Sequence, residues 1–217
     1  MKTITPILAF YFLVLFPTIH LVFSPNKIIY ELWGTLYFAL ALFLVLVLKR
    51  VSLQQLGFNN IWKALAIGFL LGIIPLISLP LLDIWLIKSG LSQSELFKGA
   101  GLRSPEEIKF DMSLSGNIFT VTIATFLDQV FVVGLVINNL LKKQKTGESI
   151  IYGGLLYSLI QLKISLSNLV LGMISTGLLR TTGSIITPIM VSLGFAIAGV
   201  LIIFNYPRLI SILAFLK

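Results

Sequence analysis

The 217-residue chain has no cysteine, a single histidine (His20) and only eight acidic residues. Without cysteine there is no disulfide framework, no thiolate zinc site and no cysteine nucleophile, and the redox compartment stays open. One histidine excludes clustered imidazole ligands and any second imidazole in a catalytic site. Charged residues make up 11% of the chain, against roughly one quarter in soluble proteins. In their place stand 57% hydrophobic residues and a mean hydropathy of +1.02. A chain of this composition is a polytopic membrane protein. There is no glycine-rich phosphate loop followed by Lys-Ser/Thr, no HExxH and no mixed aromatic and basic surface for nucleic acid. The net charge of +8 comes from Lys and Arg at the ends of apolar runs, where they anchor spans and set orientation. Anionic lipid headgroups are the partner that fits such a charge.

Hydropathy predicts an all-α fold, a polytopic transmembrane bundle of seven or eight spans forming one membrane domain over residues 1–217. Lys2 and the apolar run 4–23 imitate a signal peptide, but no small-x-small cleavage site follows, so the run reads as a retained first span. His20 lies near its far end, beside Pro25 and Asn26. It is the only cofactor candidate, as a pigment or haem ligand, yet no second ligand stands at helical spacing from it. A wetted interfacial side chain is the simpler role. The second span, 29–48, opens with Trp33 and Tyr37 as interfacial anchors and stops at Lys49-Arg50. The connection 49–63 contains Leu56-Gly57-Phe58-Asn59-Asn60. The third span, 62–87, carries Ala64, Gly68 and Gly72 as a small-xxx-small stripe, and Pro75 and Pro80 are expected to bend its second half.

Residues 89–115 are the only long polar stretch and are expected to form an extramembrane loop. Its Ser104-Pro105-Glu106-Glu107 reads as a helix start, which makes Glu106 and Glu107 first-turn charges rather than catalytic carboxylates. The fourth span, 117–141, ends at Lys142, Lys143 and Lys145. The fifth, 149–162, holds Gly153-Gly154, Tyr157 and Gln161, and a polar break at 163–168 follows. The sixth, 166–179, holds Gly172 and Gly177. Arg180-Thr181-Thr182-Gly183 turns it into the seventh, 184–204, and a short apolar tail occupies 209–216. If the basic clusters Lys49, Arg50, Lys63 and Lys142, Lys143, Lys145 both face the cytoplasm, the N-terminus, Lys2 and Arg180 lie inside and the loop 89–115 outside. The C-terminus is inside only if 209–216, short for a spanning helix, crosses or re-enters.

Within the fourth span, Asp128 and Gln129 interrupt an apolar run. A carboxylate at mid-bilayer costs roughly 2.5–3.5 kcal/mol on insertion scales, so Asp128 needs a partner, a wet cavity, a proton or a function. A hydrogen-bonded, neutral Asp128 tying helices together is the plain alternative to a catalytic one. A hydrolase would also need an imidazole and oxyanion donors, and His20, at the outer edge of the first span, is not expected beside Asp128. Lys163 could serve as a base if buried, but its position at a helix end suits a snorkelling anchor better.

The order and content of spans four to seven, residues 117–204, resemble the CPBP family of membrane proteins, which includes type II CAAX prenyl proteases and bacteriocin-immunity proteins. The family motif EExxxRG falls on Asp128-Gln129-Val130-Phe131-Val132-Val133-Gly134, where Gly134 matches, Asp128 is a shortened acid, and Gln129 and Val133 replace the second acid and the arginine. The motif FxxxH falls on Tyr157 to Gln161, so an amide replaces the imidazole. The run from Leu178 through Arg180-Thr181-Thr182-Gly183-Ser184 to Pro188-Ile189 is similar to the family's turn into its last motif. There Ser192 and Ala196 stand where the family has His and Asn.

In that family the acids and imidazoles are thought to activate water for cleavage beside a prenylated cysteine, with the Asn binding the oxyanion. The resemblance leaves Asp128 as the one candidate base here, and missing catalytic groups each cost orders of magnitude in rate. It therefore implies a catalytically degenerate member with no catalytic residue, cofactor or metal. Such a protein would act by binding, as a subunit, assembly or stabilising factor of a membrane complex. Ala64/Gly68/Gly72, Gly172 and Gly194/Ala198 are the candidate packing faces, internal or intermolecular. One alternative is an intramembrane CAAX-type endopeptidase using Asp128 with Gln129 and Gln161. Another is a lipid or pigment carrier or transporter built around a polar pocket of Asp128, Gln129, Gln161 and Ser192.

Overall fold

The computed structural model describes residues 4–22, 27–89, 113–162, 165–206 and 209, with side chains of the second stretch from residue 33 onward. The expected helix start at Ser104 to Glu107, Lys163, Lys2 and most of the 209–216 tail lie outside the described residues. Among the described residues all regular structure is helical: α1 (Ile4–Val22), α2 (Lys27–Val47), α3 (Ile61–Lys88), α4 (Leu114–Leu140), α5 (Thr146–Ile160), α6 (Leu166–Thr182) and α7 (Ile186–Asn205). Four of them, α1, α3, α4 and α7, are long and apolar enough to cross a membrane.

Local chemistry sets the helix ends. Ser113 and Ser165 cap α4 and α6, their hydroxyls accepting from Gly116 N and Asn168 N at 3.2 Å, so α4 begins earlier than its apolar run. α6 ends on Gly183 at φ 68°, a left-handed cap that costs glycine little. Pro188 sits in the first turn of α7, where a missing N–H is harmless. α3 runs unbroken through Pro75 and Pro80. In α1 the segment Tyr11–Leu15 is π-helical, Phe16 N–H bonding Tyr11 O. It directly precedes Pro17, whose ring would crowd, and whose nitrogen cannot serve, the Leu13 carbonyl of a regular helix.

The bundle is organised around α4. Its second half, Gln129–Ile137, is also π-helical, and every residue of it is buried, so neighbours cover it on all sides. Phe131 stacks on Phe38 of α2 at 4.2 Å. Gly134 faces the Leu56 carbonyl and Ile185, leaving no room for a side chain. The connection 49–60 is thereby drawn into the core: Leu56 is buried, and Gly57 O accepts from Ile185 N at 2.8 Å.

The small-residue stripes are spent inside the chain. Ala64, Gly68 and Gly72 of α3 meet Thr187, Met190 and Gly194 of α7, where Thr187 Oγ1 donates to Ala64 O at 3.1 Å. Gly72 and Gly194 lie backbone against backbone. Gly153 and Gly154 of α5 meet Thr176 and Met173 of α6, and Gly172 receives the Tyr157 ring. Ala198 packs with Leu79, Leu86 and Ile202. These faces, open between internal and intermolecular use in the sequence, are internal.

Candidate functional site

A half-open cavity of about 500 Å³ lies where α1, α2, α4 and the end of α5 converge. It sits toward the first residues of α2 and the last of α1 and α5, at the opposite end of the bundle from Lys49-Arg50 and Lys142-Lys143. α1 contributes Tyr11, Phe16 and His20; α2 contributes Trp33, Gly34, Thr35 and Phe38; Asp128 comes from α4, and Gln161 and Leu162 follow α5. Asp128, Gln161 and His20 are half-buried. His20 and Asp128 both line this cavity, His20 against Phe16 near the end of α1. α1 packs against α2 here, Tyr11 meeting Trp33 and Phe38, a contact that spacing along one helix does not show.

The site's frame is a set of buried hydrogen bonds. Tyr11 Oη donates to Ile160 O at 2.9 Å, capping one of the carbonyls that α5 leaves unpaired where it ends. Tyr37 Oη donates to Ile7 O at 2.7 Å, tying α2 to α1. Gln129 Nε2 donates to Tyr157 Oη at 3.3 Å with Gln129 fully buried, and Gln161 interacts with the same hydroxyl. Asp128 lies within electrostatic reach of the Tyr11 and Tyr157 hydroxyls. The aromatic wall is continuous: Tyr11 stacks on Trp33 at 5.3 Å, and the His20 ring rests on Phe16 at 4.1 Å while Nδ1 meets Phe16 O at 3.0 Å.

The resemblance positions divide into two groups. Asp128, Gln129, Tyr157 and Gln161 come together at this junction. Val133 is fully buried in the apolar core, where an arginine would have no water. Ser192 is buried and Ala196 half-buried on α7, and neither lines the cavity, so the expected pocket of Asp128, Gln129, Gln161 and Ser192 is not one continuous surface. Among the described residues, Gln129 Oε1 and the hydroxyls of Ser158, Ser175 and Ser192 are buried without a hydrogen-bond partner. Also among them, no three His, Asp or Glu side chains cluster as metal ligands.

Tyr11, Trp33 and Phe38 were not legible as site residues. The one available signal was local, an aromatic run before Pro17, because a proline widens the preceding turn and can re-aim its side chains. The chain matches no model of a known protein family, no curated protein and no solved structure.

Gln129, where the family has its second acid, is sealed from solvent and bonded to Tyr157, so it cannot orient a water in the cavity. What faces the open space is a mixed surface of aromatic rings with a carboxyl, an amide and an imidazole, the composition of a ligand pocket.

Proposed function

We propose that this chain is a non-catalytic, CPBP-like integral membrane protein that acts by binding, and that the Asp128 cavity is its binding element. One observation carries this: a pocket large enough for a small ligand presents aromatic walls with Asp128, His20 and Gln161, while the neighbouring motif position Gln129 is buried out of reach. The ligand is a small amphiphile of the membrane, a lipid or pigment with a hydrogen-bonding group for the polar residues and a flat or apolar body for the rings. The partner reading, as a subunit or assembly factor, has less behind it, since the small-residue faces are occupied within the chain. Seven spans with a cytoplasmic N-terminus fit the helix order and the basic loops. α5 and α6 are short, and whether that hairpin crosses or turns back at depth, the parity of every other helix is unchanged.

Gly34 offers a clean test, because it lines the cavity and a Cβ added there meets nothing within 4 Å. Wild type and Gly34→Leu would be purified from membranes in mild detergent, extracted with organic solvent and compared by mass spectrometry. The expected result is a small molecule enriched with wild type and depleted several-fold with the variant at equal thermal stability. Equal recovery from both removes the cavity as the binding element. Incubation with a prenylated peptide addresses the protease alternative: cleavage by wild type that Asp128→Asn abolishes would replace this proposal with an endopeptidase.

A further inference from the structure

A second groove lies along the α1–α2 pair and shares no lining residue with the Asp128 cavity. It encloses about 500 Å³ between the first half of α1, including Ile7 and Phe10, and the second half of α2, from Tyr37 through Ala41 and Leu44. Its walls are apolar apart from one charge, Arg50, at the mouth. The hydroxyl of Tyr37 does not contribute polarity, because it is bonded to Ile7 O. From Tyr37 to Leu48 the groove follows about 17 Å of helix, close to half the roughly 30 Å hydrocarbon thickness of a bilayer. Length and polarity both match one acyl chain with its headgroup at the Arg50 end.

The end of α2 adds a separate observation. Arg50 N bonds Val45 O and Lys49 N bonds Leu46 O, both at 3.0 Å, and Lys49 has φ 51°. This is a Schellman cap with lysine at the left-handed position that glycine usually fills, and a non-glycine residue there is strained by roughly 1 kcal/mol or more. The chain keeps a cation at that strained position, next to Arg50; both side chains are exposed, and Arg50 lines the groove. We infer that the α1–α2 groove binds an anionic phospholipid, its acyl chain along Ala41 and Leu44 and its phosphate at Arg50 and Lys49. Arg50 supplies a planar fork that holds a phosphate in two hydrogen bonds, and Lys49 adds a point charge.

Native mass spectrometry of the purified full chain in detergent tests the assignment, with phosphatidylglycerol titrated against phosphatidylcholine of the same acyl chains. Each cation near an anionic lipid surface contributes on the order of a fivefold preference, so wild type should favour phosphatidylglycerol by about 25-fold and Arg50→Gln by about fivefold. Lys49→Gly separates the two roles of that residue: it should raise thermal stability by relieving the backbone while lowering the lipid preference. Glycerol phosphate, which has the charge but no acyl chain, should not displace the lipid. Equal retention of the two lipids by wild type, an Arg50→Gln variant that keeps the full preference while folded, or displacement by glycerol phosphate would each overturn the assignment.

Discussion

The side-chain amide of Gln129 donates to the hydroxyl of Tyr157 across 3.3 Å, joining α4 to α5 at a point where Gln129 has no exposed surface. The bond explains how a polar residue survives in the middle of α4, and it leaves Gln129 Oε1 without a partner among the described residues. A buried donor pays a larger penalty for losing its partner than a matched pair does for being replaced together. Tyr157→Phe should therefore destabilise by about 1–3 kcal/mol, and Gln129→Leu by less, because it also removes the unpartnered oxygen. Thermal unfolding in detergent of the two single variants and the double variant checks this, the double being expected to lose less than the sum.

Asp128 touches the same junction electrostatically while also facing the cavity. As a tie between helices, Asp128→Asn should retain most of the thermal stability and Asp128→Leu should lose it, since only the amide keeps hydrogen-bonding capacity. Equal loss in both would argue that the charge itself holds the junction.

The α3–α7 seam should tolerate no added methyl. A side chain at Gly194 would overlap the Gly72 carbonyl, whereas one at Gly199 on the same helix meets nothing within 4 Å. Gly194→Ala is expected to cost about 1–3 kcal/mol or to prevent folding, as overpacking does in a tight core. Gly199→Ala should be neutral within about 0.5 kcal/mol, as substitutions away from such features usually are. Folded yield by size-exclusion chromatography separates the two.

Arg180, at the end of α6, donates to Leu141 O just beyond α4, pinning the loop that carries Lys142, Lys143 and Lys145. Hydrogen bonds from charged groups contribute about 1.5–3 kcal/mol. Arg180→Ala should thus speed tryptic cleavage at those exposed lysines several-fold, while Arg180→Lys, which retains one donor, should show an intermediate rate.

The absence of native cysteine makes orientation directly measurable. Lys143 and Lys88 are exposed at the ends of α4 and α3. With a cytoplasmic N-terminus, Lys88→Cys should react with a membrane-impermeant maleimide in intact cells, and Lys143→Cys only after permeabilisation. The reverse pattern would invert the topology.

Much of the helical layout was legible because helix boundaries depend on near neighbours. The apolar runs, the basic stops at Lys49-Arg50 and Lys142-Lys143 and the turn at Gly183 each announce themselves within a few residues. The span count was not settled in the same way: four described helices reach spanning length, and α5 and α6 fall short of it. At the site, Asp128, Gln129, Tyr157 and Gln161 meet at one junction, whereas Ser192 and Ala196 do not line the cavity.

By itself the sequence determined that the chain is helical, with runs long and apolar enough to cross a membrane, and that one of these runs holds an acid beside an amide. Only the tertiary structure decided that His20 shares a cavity with Asp128, that Tyr11 caps α5 and that the glycine stripes face inward. The reason is physical. In a soluble helix the polar face marks the outside, but here the outside is as apolar as the core, so periodicity does not tell a lipid-facing side from a buried one. A contact such as Tyr11 to Ile160, separated by 149 residues, is set by how the helices pack, and no local pattern carries it.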